Sequence, residues 1–126
     1  MEPSCCCRNA KKVLVYACSG AANVAEIADH VARALSAQGA GQMFCLAGLG
    51  AEVPGMVQTA RDADLNLVID GCPQDCARKT FEKLGLTNVK IIRVTDLGIA
   101  KQKGVPITDG QVQHVLDESR KALAAC

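Results

Sequence analysis

The residues with the clearest chemical potential in this sequence are its eight cysteines, a high number for a chain of 126 residues. Three of them, Cys18, Cys45 and Cys72, follow one another at intervals of 27 residues, and Cys76 comes four residues after the third. Thiolates bind soft metal ions, hold iron–sulfur clusters and carry out thiol–disulfide exchange. The cysteines therefore predict metal or thiol chemistry, with inert buried thiols as the plain alternative.

Four apolar runs predict the strands that position these cysteines. Runs rich in branched residues are typical of strands that are buried on both faces of a parallel sheet. The four runs cover residues 13–17, 43–46, 65–69 and 89–94. Cys18, Cys45 and Cys72 each lie at or near the end of one of them, as expected for equivalent positions in successive strand–helix units.

Helical segments separate these strands. Apolar side chains at helical spacing predict a first helix that carries Val24, Ile27, Ala28, Val31 and Leu35 on one face. Pro54 opens a second helix, with Met56, Val57 and Ala60 inward. A third helix, marked by Ala77, Phe81 and Leu84, ends at a left-handed Gly85, and Asp109 caps the last helix.

The alternation of strands and helices predicts a three-layer α/β fold, Rossmann-like or flavodoxin-like, with a small, mostly parallel four-stranded sheet. We expect a single domain over residues 12–126, preceded by a flexible, cysteine-rich tail over residues 1–11. If the first strand lies between the second and third, Cys18 is flanked by Cys45 and Cys72 at the carboxyl edge, where such sheets bind ligands. Strands about 4.8 Å apart then allow four thiolates to surround one zinc ion.

Three segments around these cysteines, residues 16–20, 43–48 and 69–76, resemble the DGC-domain family. The family is named for its Asp-Gly-Cys motif, here Asp70-Gly71-Cys72, and the likeness continues to the last helix. The resemblance implies a zinc-binding protein and supplies no reaction, so it does not say whether the chain is an enzyme. The chelating cysteines that it implies are the four already selected by spacing: Cys18, Cys45, Cys72 and Cys76.

Two further interpretations use the same cysteines. Iron or an iron–sulfur cluster is the alternative to zinc, since both suit tetrahedral sulfur ligands. A thiol–disulfide enzyme is the alternative from another class, in which Cys72 and Cys76 cycle between dithiol and disulfide near a helix N-terminus that favours thiolate. The loop after Cys18 lacks the arginine with which cysteine phosphatases hold an oxyanion.

Other residues and the composition narrow the function classes. A net charge of +1 and 2% aromatic residues argue against nucleic-acid binding, and no apolar run is long enough to span a membrane. The chain start has no secretion signal, so we expect a cytoplasmic protein.

Lys101 and Lys103, in a long loop over residues 95–108, are placed to attract a small anionic ligand near the metal edge. His30 and His114 are expected on helix surfaces, and the cysteines left outside the site are Cys5, Cys6, Cys7 and Cys126.

Overall fold

Strands and helices alternate along residues 12–125, the part of the chain that the computed structural model describes. The predicted tail over residues 1–11 and Cys126 lie outside the described residues. The strands are β1 (Val13–Ala17), β2 (Gln42–Met43), β3 (Leu65–Asp70) and β4 (Val89–Arg93). The helices are α1 (Asn23–Ala37), α2 (Leu46–Gly50), α3 (Pro54–Asp62), α4 (Cys76–Lys83) and α5 (Asp109–Ala125), with a 3-10 turn over Val94–Leu97.

The four strands form one parallel sheet in the order β2-β1-β3-β4. The register of β1 against β3 runs from Val13 opposite Leu65 to Ala17 opposite Ile69. The prediction that β1 lies between β2 and β3 is therefore confirmed. Because all strands point the same way, their carboxyl ends share one edge of the sheet, where the turns into α1, α2 and α4 also lie.

Helices cover both faces of the sheet, and this gives the predicted three layers. Side chains alternate along β1, so Val15 and Ala17 pack with α1 and α5, whereas Leu14 and Tyr16 pack with α2, α3 and α4. This arrangement confirms the Rossmann-like α/β fold. Within the described residues, none of the helices combines the length and the apolar character that crossing a membrane requires.

Three boundaries differ from the sequence-based expectation. The predicted strand over residues 43–46 ends at Met43, because Cys45 caps the five-residue helix α2, which was not predicted. Thr108, rather than Asp109, caps α5: its Oγ1 accepts the N–H of Gln111 at 3.1 Å, and Gln111 Oε1 accepts the N–H of Thr108 at 3.0 Å. This reciprocal pair satisfies two backbone donors that Asp109 alone would leave open. The predicted loop over residues 95–108 begins inside the 3-10 turn.

Candidate functional site

The ends of β1 and β3 bring Cys18 and Cys72 to the point where the strand order reverses. Cys18 follows the last residue of β1, and Cys72 follows two residues after the end of β3. The chain leaves β1 toward β2 on one side, while β3 lies on the other side. Open α/β sheets bind their ligands in the crevice at this position. These two cysteines therefore lie where the fold favours a functional site.

Cys18 is half-buried and held by the backbone of the neighbouring turn. Its Sγ accepts a hydrogen bond from the N–H of Gly71 at 3.2 Å, and its own N–H donates to the carbonyl of Ile69. Burial raises the pKa of the Cys18 thiol, the N–H groups of Gly71 and Gly20 lower it, and nearby Asp70 and Cys72 raise it. The net direction is upward, so the metal-free protein favours the protonated thiol at this position.

Gly71 allows the Cys72 turn to press against the start of α1. A Cβ atom at this position would lie 3.0 Å from the backbone nitrogen of Ala25 and 3.0 Å from a methyl group of Val24. One of these contacts is with helix backbone, which cannot move aside as a flexible side chain would. The glycine of the Asp-Gly-Cys motif is thus explained by close packing between the turn and α1.

Asp70 anchors the helix that follows the motif. Its side chain is 1% exposed, and its two carboxylate oxygens accept the N–H groups of Ala77 and Arg78, each at 2.9 Å. Burial raises the pKa of Asp70, and these two N–H donors lower it. The sequence left open whether Asp70 orients a turn N–H or caps the next helix. The structure shows that it caps α4.

Ion pairs between the buried Asp75 and two partly exposed arginines fix the turn between Cys72 and Cys76. Asp75 adopts a left-handed conformation with φ of 54° and is 3% exposed. Its carboxylate accepts hydrogen bonds from Arg93 at 2.8 and 2.6 Å and from Arg78 at 2.9 Å. The Arg93 and Arg78 guanidinium groups hold the pKa of Asp75 below its ordinary value against the opposing effect of burial. The sequence analysis did not predict the pair of Asp75 and Arg93. The one sequence feature that could have indicated it is that the apolar strand β4 ends at an arginine.

Cys76 and Cys45 lie on the exposed side of the same edge. Cys76 is the first residue of α4 and is exposed. Cys45 is also exposed, and its Sγ accepts the N–H of Gly48 at 3.4 Å. Together with Cys18, Cys45 lines a cavity of about 700 Å³ over the carboxyl ends of β1 and β2.

The structure thus brings the predicted cysteines to one edge without assembling them into a finished metal site. Cys18 has Cys72 near it on one side and shares a cavity with Cys45 on the other. Among the residues that the structure describes, no three histidine, cysteine, aspartate or glutamate side chains are grouped to hold a metal ion. The donor chemistry nevertheless fits a soft metal, because four free thiols share the edge and two of them accept N–H bonds, as metal-bound sulfur commonly does.

A segment of the long loop closes over the start of α1; we call residues 98–104 the strap. The side-chain nitrogen of Asn23 donates to the carbonyl of Ala100 at 3.0 Å, and its oxygen accepts the N–H of Gln102 at 2.6 Å. The N–H of Asn23 also donates to the carbonyl of Gln102. Lys101 and Lys103 are exposed on the strap, and their anionic ligand stays a prediction.

The two histidines lie on helix surfaces, as expected. His30 is on α1, with its Nε2 at 3.8 Å from Glu26, and His114 is on α5, with its Nε2 at 3.2 Å from the carbonyl of Leu97. Both side chains are exposed. Neither was selected as a metal ligand, and neither joins a metal-binding group within residues 12–125.

The fold and the edge described above define a class of protein: a parallel, three-layer α/β protein with cysteines after three neighbouring strands. The family model of the DGC domain matches residues 14–119, and the chain belongs to the DGC domain family. The matched residues include the four cysteines at this edge, Cys18, Cys45, Cys72 and Cys76. It is similar to the anaerobic and virulence modulator AnvM of Pseudomonas aeruginosa, with 35% identity over 91 residues, or 72% of this chain and 70% of the relative. No solved structure matches the chain.

Proposed function

We propose that this chain binds one zinc ion through the thiolates of four cysteines, at a site that closes when the metal binds. The observation that carries the proposal is the strand order β2-β1-β3, which brings the turns after three strands, and so all four thiols, to one edge. The proposed ligands are Cys18, Cys45, Cys72 and Cys76. Zinc–sulfur bonds of about 2.3 Å would bring these thiols together, since no three of them are grouped to hold a metal among the described residues.

The two exposed cysteines are the ones that would have to move. Cys45 and Cys76 are exposed at the starts of α2 and α4, whereas Cys18 and Cys72 are half-buried. Metal binding would deprotonate the thiols, and the N–H groups that already point at Cys18 and Cys45 would stabilise the bound thiolates.

The proposal includes a role in sensing or carrying metal, because the apolar core holds this fold together without a metal and the thiols lie at the edge where such sheets bind ligands. Four cysteine ligands leave no coordination position for water or substrate, so the proposal includes no catalytic step. The relative from Pseudomonas aeruginosa is named an anaerobic and virulence modulator, and we propose a regulatory role for this chain as well. We place this chain in the cytoplasm, where thiols stay reduced.

Elemental analysis of the full chain, purified without oxygen, tests the proposal together with an absorption spectrum. We expect one zinc per chain, no visible colour, and loss of the metal in Cys72→Ser. Cys126→Ser is the matched control, because it removes a thiol outside the proposed ligand set. Full zinc content in Cys72→Ser would contradict the ligand assignment, and bound iron with a coloured spectrum would replace zinc by iron or a cluster.

A second candidate, thiol–disulfide exchange by Cys72 and Cys76, has one observation in its favour. Cys76 is exposed at the first position of α4, and Cys72 lies half-buried in the turn just before it. In this exchange the dithiol of Cys72 and Cys76 loses two electrons as its disulfide forms, and a disulfide substrate would accept them. Alkylation separates the candidates: zinc binding predicts thiols that react only after a chelator is added, and exchange predicts a fast thiol in metal-free protein.

A further inference from the structure

The cavity over β1 and β2 combines two thiols with an ion pair on an opposing helix. Its volume of about 700 Å³ lies within the range of small-molecule sites, about 300–1,000 Å³. Its apolar lining includes side chains from the end of β1 and from the segment after β2. The lining residues that matter here are Ala17, Cys18, Asp29, Arg33, Phe44 and Cys45.

The charges of this cavity come from one turn of α1. The Nε of Arg33 lies 2.8 Å from the Asp29 carboxylate, and the two side chains are 69% and 27% exposed. A guanidinium beside a carboxylate complements a ligand that carries a carboxylate beside an ammonium. Amino acids carry these two charges on one carbon atom, and an amino acid with a thiol would also match the cysteines of the cavity.

We propose that the cavity binds a zwitterionic, low-molecular-weight aliphatic thiol or its disulfide, and that Cys45 forms a mixed disulfide with it. Cys45 is the reacting residue because its side chain is exposed, whereas that of Cys18 is half-buried. Arg33 binds the ligand carboxylate, and Asp29 binds its ammonium. The apolar lining takes the aliphatic part of the molecule.

The reaction is a balanced exchange in which the small disulfide is the oxidant. The Cys45 thiolate attacks one sulfur of the disulfide, so that a new sulfur–sulfur bond forms as the original one breaks. The other half leaves as a thiolate and takes up a proton. Cys45 is oxidised and the leaving half is reduced. This inference rests on the proposed function at one point only: a blocked Cys45 can no longer bind zinc, so the ligand would regulate metal content.

The test uses two small disulfides that differ only in the carboxylates. The full chain, freed of metal by a chelator, is treated with cystine or with cystamine, which lacks the carboxylates, and modification is followed by mass and peptide mapping. We expect Cys45 to be modified first, and we expect Arg33→Gln to lower the cystine-to-cystamine rate ratio about fivefold, as for one charge contact at an exposed rim. Arg61→Gln, an exposed arginine on α3, is the matched control and should keep the ratio.

Two results would overturn the inference. One is an unchanged ratio in Arg33→Gln, with its helical content verified by circular dichroism. The other is first modification at Cys76 rather than at Cys45. Zinc content is measured separately on untreated protein, so selective modification of Cys45 without bound zinc would uphold this inference and contradict the proposed function.

Discussion

The backbone N–H of Gly71 donates a 3.2 Å hydrogen bond to the Sγ of Cys18 and thereby joins the turns that follow the two central strands. Gly71 belongs to the Asp70-Gly71-Cys72 motif, and each residue of this motif has a separate structural role. Asp70 holds the start of α4, Gly71 fits against α1, and Cys72 stands at the sheet edge beside Cys18. The motif therefore couples the position of one helix to the surroundings of two thiols.

Replacement of Asp70 by alanine should destabilise the protein. The change leaves the N–H groups of Ala77 and Arg78 without their acceptors at a buried helix start, and such losses cost about 2 kcal/mol. Urea unfolding followed by circular dichroism measures the effect. Asp109→Ala, in the exposed first turn of α5, is the control and should cost much less. Equal losses in both variants would contradict the special role of Asp70.

The stability of the protein should fall in acid partly because of Asp75. Its folded-state pKa is lowered by Arg93 and Arg78, so the charged form stabilises the fold above the ordinary aspartate pKa, and this stabilisation is lost as the pH falls through the lowered value. Asp75→Asn should be less stable at neutral pH and should show a shallower acid loss. Urea midpoints at pH 7 and at about pH 3 measure both.

Asp29→Asn provides the comparison for this experiment, because Asp29 is also paired with an arginine, Arg33, but within a single helix and less deeply buried than Asp75. Asp29→Asn should lower the urea midpoint at pH 7 by much less than Asp75→Asn does. If Asp75→Asn lost stability in acid as steeply as the unmodified protein, the Asp75–Arg93 pair would not be a source of the pH dependence.

Asn23→Ala should release the strap from α1. The variant loses the two side-chain hydrogen bonds to Ala100 and Gln102, and it keeps the bond from the backbone N–H of residue 23 to the carbonyl of Gln102. Trypsin should then cut faster after Lys101 and Lys103, which mass spectrometry of the fragments detects. Asn88→Ala removes hydrogen bonds at the opposite edge of the sheet. If trypsin cut after Lys101 and Lys103 as fast in Asn88→Ala as in Asn23→Ala, general instability would explain the result instead.

The strands and helices whose apolar residues form a clear run or a clear helical spacing were predictable from sequence. The apolar runs of β1 and β3 and the amphipathic pattern of α1 were placed correctly, and the left-handed Gly85 ends α4 as expected. Helix α2 was missed because five residues of leucine, alanine and glycine do not complete a recognisable period. The same short helix explains why β2 ends before Cys45.

The interval of 27 residues predicted which cysteines share the sheet edge, because it matches the length of one strand–helix unit. The contacts that shape this edge were not predictable. Asp75 and Arg93 are 18 residues apart, and Asn23 is 79 residues from Gln102. Such pairs depend on how separate elements pack, and no local pattern in the sequence marks them.

The strand order has a consequence for synthesis of the chain. Every neighbour in the sheet is distant in sequence, and Val13 in β1 pairs with Leu65 in β3, 52 residues later. Such distant pairings form slowly, and a chain emerges from the ribosome in order from its N-terminus. Cys18 is therefore made long before Gly71 and Cys72. Once its thiol has left the ribosome it meets the surrounding solution without these partners, so the reducing capacity of that solution matters before the protein has folded.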